Sequence, residues 1–489
     1  VTRQPEETRT ETTAEPGTDP RRWRILSVSL VVGFMSLLDV TIVNVALPSV
    51  RAGLDASPAS AQWLVSGYAL AFGLTLVTGG RLGDALGRRR LMAIGLVGFV
   101  VASAAVGLAT HIALAVAARL AQGLSAGLLT PQNSGLIQEL FRGPERGRAF
   151  GLFGLTVSLS SALGPVIGGA IIAVAGAEDG WRWVFLVNVP IGLVALVAVL
   201  RLVPGAAPAG DEDEVPDTSR GLDVPGALLL GLGVLAVLYP MVMVEGGTTW
   251  TLALLLLAPL LLWAFVRREL RVAREGGAPL LDVSLLRRTP GYADGILIGT
   301  VYFTGFTGIF LVLSVVLQEQ LGFSALQTGL LSMPFALGAA VSSAVAGRLV
   351  SRYGRVLTVV ALGTMITGVV LLVALLPLAP AGPGLAWVVV PTMLLAGIGG
   401  GAVISPNFTL TLADVPPRMG GAAGAALQTG QRIGSATGAA LLMTTYGVVL
   451  GRTDDAVRAF QGALVAAVVV LLVAWAAAAR SWRRGASQG

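Results

Sequence analysis

The chain predicts an all-α polytopic membrane protein, and three observations carry that prediction. Its mean hydropathy is +0.80. Of its 489 residues, 54% are hydrophobic and only 12% are charged. Its apolar runs are long and almost continuous, and a helix needs roughly 20 apolar residues to cross the hydrocarbon of a bilayer. The 64 glycines fit the same reading, because small residues let membrane helices approach closely.

Residues 1–20 are rich in Thr, Glu and Pro and lack an apolar core. A disordered tail over 1–24 is expected there, not a signal peptide. Arg21-Arg22-Trp23-Arg24 forms a basic, aromatic anchor at the foot of the first span. Apolar segments follow at 25–47, 61–80, 91–110, 113–136, 149–175, 183–203, 224–244, 251–266, 292–317, 326–347, 356–377, 385–409, 420–447 and 460–479. Fourteen spans put both termini on one side of the membrane. Segments 224–244 and 251–266 are short enough to read alternatively as one hairpin. The expected organisation is a six-helix bundle over 25–203, a linker region over 204–291 holding those two inserted helices, a second six-helix bundle over 292–479, and a tail over 480–489.

The arginines give an orientation. All 33 basic residues are arginine. With the N terminus inside, 27 lie in inner loops and tails. Four lie in outer loops: Arg51, Arg182, Arg452 and Arg458. That asymmetry places both termini in the cytoplasm. It also accounts for a pI near 10.4 without nucleic acid as a partner. The two arginines left over, Arg119 and Arg432, fall inside spans.

Composition narrows the chemistry. There is no cysteine and one histidine, His111, at a predicted loop. Thiolate zinc sites, disulfides and thiol nucleophiles are excluded, and no metal site, cofactor or enzymatic activity is expected. The acidic run Asp211–Glu214 reads as a solvated linker and not as a cation site.

Two motifs recur. Gly80-Arg-Leu-Gly-Asp-Ala-Leu-Gly-Arg88 returns as Gly347-Arg-Leu-Val-Ser-Arg-Tyr-Gly-Arg355, an offset of 267. Gly123-Leu-Ser-Ala-Gly-Leu-Leu-Thr-Pro-Gln-Asn133 returns as Gly397-Ile-Gly-Gly-Gly-Ala-Val-Ile-Ser-Pro-Asn407, an offset of 274. Two echoes at nearly one offset argue for duplication of a six-helix unit. Parallel six-helix repeats are a transporter architecture, with the substrate site between them near the midplane.

Asp39 is a costly residue to keep in a membrane span. It lies in the first span, where an ionisable group costs roughly 2.5–3.5 kcal/mol on insertion scales. From the outer ends of their spans, Asp39 lies about 12 Å deep and Arg119 about 9 Å deep, at 1.5 Å per residue. The two therefore sit at similar depth and are candidates to pair. Movement that changes how well an arginine neutralises a buried carboxylate couples protonation to conformation. The alternative is a permanent structural ion pair.

Between the second and third spans, Gly80, Gly87 and the charges Asp84, Arg88 and Arg89 suggest a tight turn with a charged latch. Asp84 can meet an arginine and the positive N-terminal end of another helix. The alternative is simple anchoring by Arg88, Arg89 and Arg90. In the fifth span, Gly164-Pro165-Val-Ile-Gly168-Gly169 predicts close packing and a kink. In the thirteenth, Gln428, Gln431 and Arg432 are polar at a depth where side chains line cavities. Arg432 suits an anionic or zwitterionic substrate, or a buried acid. Asn44, Gln122 and Asn133 are further cavity candidates.

Together these motifs resemble the major facilitator superfamily, in particular its fourteen-helix drug:proton antiporter branch. The most specific match is Leu38-Asp-Val-Thr-Ile-Val-Asn-Val-Ala-Leu-Pro48, which is similar to the branch's first-helix signature. Gly80–Arg90 resembles the superfamily's loop signature, and Arg119–Gly123 resembles the helix-4 signature. Gly151 through Gly169 resembles the antiporter motif of helix 5, with Ser160 where a glycine is expected. Trp181-Arg-Trp-Val-Phe-Leu-Val-Asn-Val-Pro-Ile-Gly192 is also similar. The resemblance implies a 6 + 2 + 6 major facilitator fold in the bacterial cytoplasmic membrane. It implies export of drugs, antibiotics or other amphipathic small molecules, driven by the proton gradient. Asp39 would be a proton site, with Arg119 as its regulator. Gly151, Gly164, Pro165, Gly168 and Gly169 would shape the packing that marks exporters. The implied partners are the small-molecule substrate, protons and membrane lipid, with the chain a monomer. A transporter of an endogenous metabolite on the same fold is the alternative.

Overall fold

A computed structural model describes residues 20–176, 178–205, 223–245, 249–277, 279–378 and 382–486. The tail expected over 1–24 falls mostly outside these residues, and so do the acidic run 211–214 and most of the 204–223 linker. Among the described residues there is no strand. Fourteen helical segments among them are long and apolar enough to cross a membrane.

The first bundle contains α1 (Arg22–Gly53), α2 (Pro58–Leu86), α3 (Arg88–Gly107), α4 (Ile112–Leu140), α5 (Gly143–Ala175), α6 (Gly180–Leu186) and α7 (Asn188–Leu202). The inserted pair is α8 (Val224–Glu245) and a 3₁₀ segment, Trp250–Leu256, that runs into α9 (Leu257–Arg274). A short α10 (Leu285–Arg288) leads into the second bundle. That bundle contains α11 (Pro290–Val315), α12 (Ala325–Tyr353), α13 (Arg355–Leu375), α14 (Ala386–Thr411), α15 (Gly420–Thr453) and α16 (Ala456–Ala486).

The helices overrun the apolar segments that announce them. α1 continues through Pro48 to Gly53, six residues or about 9 Å beyond the apolar run. The sixth span is not one helix from 183: it starts at Gly180 and breaks at Val187. Pro190 explains the break, because it has no N–H to bond the Leu186 carbonyl and is tolerated in a helix only in the first turn. α9 likewise runs past residue 266 to Arg274.

The two bundles meet along two seams, α2 against α15 and α5 against α12, while α8 packs on α2 and α15. Glycine sets how close the seams run. A Cβ on Gly80 would lie 2.5 Å from the Gly421 carbonyl oxygen, and one on Gly347 would lie 2.5 Å from that of Gly147. Gly347 and Gly80 are related by the 267-residue repeat, and Gly421 and Gly147 by the 274-residue one. The duplication seen in the sequence therefore reappears as two matching helix crossings. It recurs inside the bundles, where Gly123 abuts the Tyr68 carbonyl and Gly397 abuts that of Phe335.

Candidate functional site

Asp39 is buried inside the first bundle, 1% exposed, and Arg119 is fully buried beside it. Arg119 Nη1 donates to Asp39 Oδ2 at 2.5 Å. The other carboxylate oxygen, Oδ1, accepts from Gln122 Nε2 and from Asn188 Nδ2, each at 3.0 Å. Arg119 is itself held by the Leu64 carbonyl (2.9 Å) and by Gln122 Oε1 (2.8 Å). Gln122 also donates to Ser103 at 2.6 Å. Three helices thus meet at one carboxylate, α1, α4 and α7, with α2 and α3 behind them through Leu64 and Ser103. The convergence satisfies a rule for buried charge, which survives in low dielectric when paired and hydrogen-bonded.

A stack of rings leads from this pair to the second bundle. The Arg119 guanidinium lies over the Tyr68 ring, 4.2 Å from its centroid. Tyr68 stacks on Phe72 one helical turn along α2, at 6.1 Å and an interplanar angle of 9°. On the far side, the Arg432 guanidinium of α15 lies 4.7 Å from the Phe72 centroid. Tyr68 is anchored through its hydroxyl to the Ser36 carbonyl at 3.1 Å, so α1, α2, α4 and α15 meet through it.

The glycines of α5 bring that helix onto α1 next to Asp39. Thr41 Oγ1 donates to the Ser160 carbonyl at 3.1 Å. A Cβ on Gly164 would lie 2.0 Å from Thr41 Oγ1, and one on Gly168 would lie 2.9 Å from Ile42. Ser160 stands in place of an expected glycine without cost to this contact: it is fully buried and its hydroxyl bonds back to Val157. Gly151 instead faces α12, near Ser343 and Gly347, and Gly169 faces open space. Pro165 is accommodated within an unbroken α5.

The Gly80–Arg90 loop closes the seam at the end of the molecule that carries both termini. Asp84 accepts from Arg88 Nη2 (2.7 Å) and from the backbone amides of Gly421 (3.1 Å) and Ala422 (2.8 Å). Those amides belong to the first turn of α15, where a helix presents unpaired donors and the positive end of its dipole. Arg88 is buried and also grips Glu139 of α4 at 2.6 Å. Gly87 takes φ +89° to turn the chain from α2 into α3, a conformation suited to glycine. Among the described residues Arg89 makes no ion pair, and it stands outside this cluster. Nearby, Gln138 donates to the Leu412 carbonyl at 2.7 Å and Arg146 reaches the Ala413 carbonyl at 3.4 Å. Both contacts tie the bundles at the same end.

The cavity candidates do not gather on one surface. Gln122 is absorbed into the Asp39 cluster. Asn133 accepts from Ser29 between α4 and α1. Both therefore serve contacts within the first bundle, because each lies on the α4 face turned to neighbouring helices. The side chain of Asn44 lies outside the described set. On α15, Gln431 turns inward toward Gly299 of α11, and Gln428 Nε2 is buried with no hydrogen-bond partner among the described residues. Only Arg432 crosses to the other bundle. Among the described residues it has no hydrogen bond and no ion pair; its contact is the Phe72 ring face. No described acid pairs with it.

Sequence reasoning missed five members of these clusters: Asn188, Ser103, Tyr68, Phe72 and Glu139. Asn188 had a signal, since a polar residue just before Pro190 marks the break in the sixth span. Tyr68 and Glu139 had none beyond ordinary membrane-helix composition and a helix-end acid.

A family profile described as the Major Facilitator Superfamily matches residues 29–439. The chain is 38% identical over 453 residues to a probable actinorhodin transporter of Streptomyces coelicolor, covering 90% of this chain and 75% of that protein. It is 36% identical over 482 residues to the puromycin resistance protein pur8 of Streptomyces alboniger, covering 95% and 92%. Among solved structures, the human organic anion transporter MFSD10 (TETRAN) superposes with a TM-score of 0.67 at 18% identity, covering 94% of this chain and all of that one. That likeness is one of fold.

Proposed function

This chain belongs to the Major Facilitator Superfamily, and from that premise we propose that it exports antibiotic-like small molecules across the bacterial cytoplasmic membrane in exchange for protons. Two relatives, one named as an actinorhodin transporter and one as a puromycin resistance protein, support the substrate class. The observation that carries the coupling is the Asp39 carboxylate, buried at the meeting of three helices and neutralised by one arginine. A group so placed changes charge only when its helices rearrange, and that rearrangement is what alternating access supplies. Facing out, Asp39 takes a proton and substrate leaves. Facing in, Asp39 gives up the proton and substrate binds. Each proton entering contributes about 2.3 kcal/mol per 100 mV of membrane potential. A pH gradient adds about 1.4 kcal/mol per unit.

With the termini in the cytoplasm, as the arginine distribution supports, the cluster of Asp84, Arg88 and Glu139 closes the cytoplasmic end. Its contacts break for the inward-facing state. Arg432 is the residue for substrate recognition. A guanidinium with no counter-ion among the described residues, at the bundle interface, favours a substrate bearing an acidic or zwitterionic group.

A susceptibility panel tests the export reading. Expressed in a host stripped of its own pumps, the chain is expected to raise tolerance to at least one antibiotic class, and a protonophore is expected to abolish the gain. Arg432→Gln is expected to lose acidic compounds from the panel before neutral ones. Uptake of those compounds into the cells, raised by expression, contradicts export.

A further inference from the structure

The two seams between the bundles are built alike but are not charged alike. At the α2–α15 seam, Asp84 supplies the anion that ties Arg88 to the amides of Gly421 and Ala422. At the α5–α12 seam, the 267-residue repeat puts Ser351 where Asp84 stands, and the 274-residue repeat puts Arg148 where Ala422 stands. The backbone crossing is the same, Gly347 on Gly147. The second seam has thus lost a carboxylate and gained a guanidinium.

A cavity of about 430 Å³ opens at that place, lined by Trp23, Arg148, Leu152, Ala344 and Arg348. The two arginines face it from opposite bundles. Among the described residues neither has an ion pair or hydrogen bond. Glu145, the acid nearest Arg148 along α5, is already taken by Arg22 at 3.0 Å. Arg148 and Arg348 each lie five residues from a helix end that faces the termini. That is about 7.5 Å in from the helix end, comparable to the roughly 5–7.5 Å of polar headgroup layer on each side of the hydrocarbon. Trp23 belongs at that level, while Leu152 and Ala344 line the side that runs on toward the hydrocarbon.

We propose that this cavity binds an anionic phospholipid, whose phosphate bridges Arg148 and Arg348 and stands in for the missing carboxylate, with its acyl chains leaving past Leu152 and Ala344. The site is independent of which solute the chain transports.

Native mass spectrometry of the purified full chain, with equimolar phosphatidylglycerol and phosphatidylethanolamine, tests the proposal. The wild type is expected to retain phosphatidylglycerol preferentially. The double variant Arg148→Gln, Arg348→Gln is expected to lose that preference by roughly tenfold, as expected for charge-assisted hydrogen bonds to one phosphate. Lysine at both positions is expected to keep most of it, and Arg352→Gln, one turn further along α12, to keep all of it. Equal retention of the two lipids by the wild type overturns the proposal, whatever the variants do. So does an unchanged preference in the double glutamine variant. Displacement of the lipid by millimolar glycerol phosphate or inorganic phosphate would show a soluble-anion site and overturn it as well.

Discussion

Asn188 donates to the same Asp39 oxygen that Gln122 holds, at 3.0 Å, from the first residue of a helix that begins only because Pro190 ends its predecessor. The break in the sixth span and the buried carboxylate are therefore parts of one arrangement. A continuous helix through Val187 would put Asn188 on a different bearing.

Asn188→Ala is expected to leave one Asp39 oxygen short of a donor, at a cost of about 1–3 kcal/mol. Thermal unfolding in detergent measures it as a lowered midpoint. Asn188→Asp is expected to do more harm, since it sets two carboxylates against one guanidinium.

The contact of α5 on α1 tolerates no side chain at Gly164, where a Cβ would sit 2.0 Å from Thr41 Oγ1. Gly164→Ala is expected to cost about 1–3 kcal/mol by overpacking and to reduce efflux. Thr41→Ala removes the clashing oxygen, so the double variant is expected to recover part of both. Equal losses in single and double variants contradict a specific Gly164–Thr41 contact.

Among the described residues, Asp84 is the one carboxylate bonded to the first amides of α15. Asp84→Asn keeps the shape and removes the charge, so it is expected to shift the population toward the state open at the termini-bearing end. The chain has no cysteine of its own, so cysteines introduced on α2 and α15 report without background. Spin labels there are expected to show longer distances in the variant than in the wild type.

Asp223, just before α8, accepts from the Gly226 amide and from Arg268 at 2.7 Å. Burial pushes its carboxyl up, but the bonds and charge of Arg268 and the Gly226 amide outweigh burial and hold it below the ordinary range. A depressed carboxylate contributes stability that is complete above the unfolded value of about 3.9 and is lost as pH falls through the lower folded one. Asp223→Asn is therefore expected to lower the unfolding midpoint at pH values well above the ordinary carboxylate range. The gap is expected to narrow only in strong acid.

Much of this was legible in the sequence, and the residues show why. Asp39 and Arg119 could be matched because charge in a membrane span is scarce and depth follows from residue count, although α1 runs past the apolar segment used for that count. Asp84 could be placed on a helix N-terminus because a glycine-flanked acid in a short loop has few other partners. Direction around a helix could not be read. Gln122 and Asn133 turned into the first bundle and Arg432 turned across to the second, and hydropathy carries no information on which neighbour a polar side chain faces. The Tyr68–Phe72 stack was hidden for the same reason.

The central claim is that Asp39 carries the coupled proton. Purified chain in proteoliposomes, with an imposed pH gradient and a substrate from the susceptibility panel, tests it most directly. Wild type is expected to move substrate against its gradient and to acidify its own compartment in step. Asp39→Asn is expected to lose both the uphill movement and the proton flux while still binding substrate. If Asp39→Asn pumps uphill with the same dependence on the pH gradient as wild type, the proton travels elsewhere and Asp39 is a structural partner of Arg119.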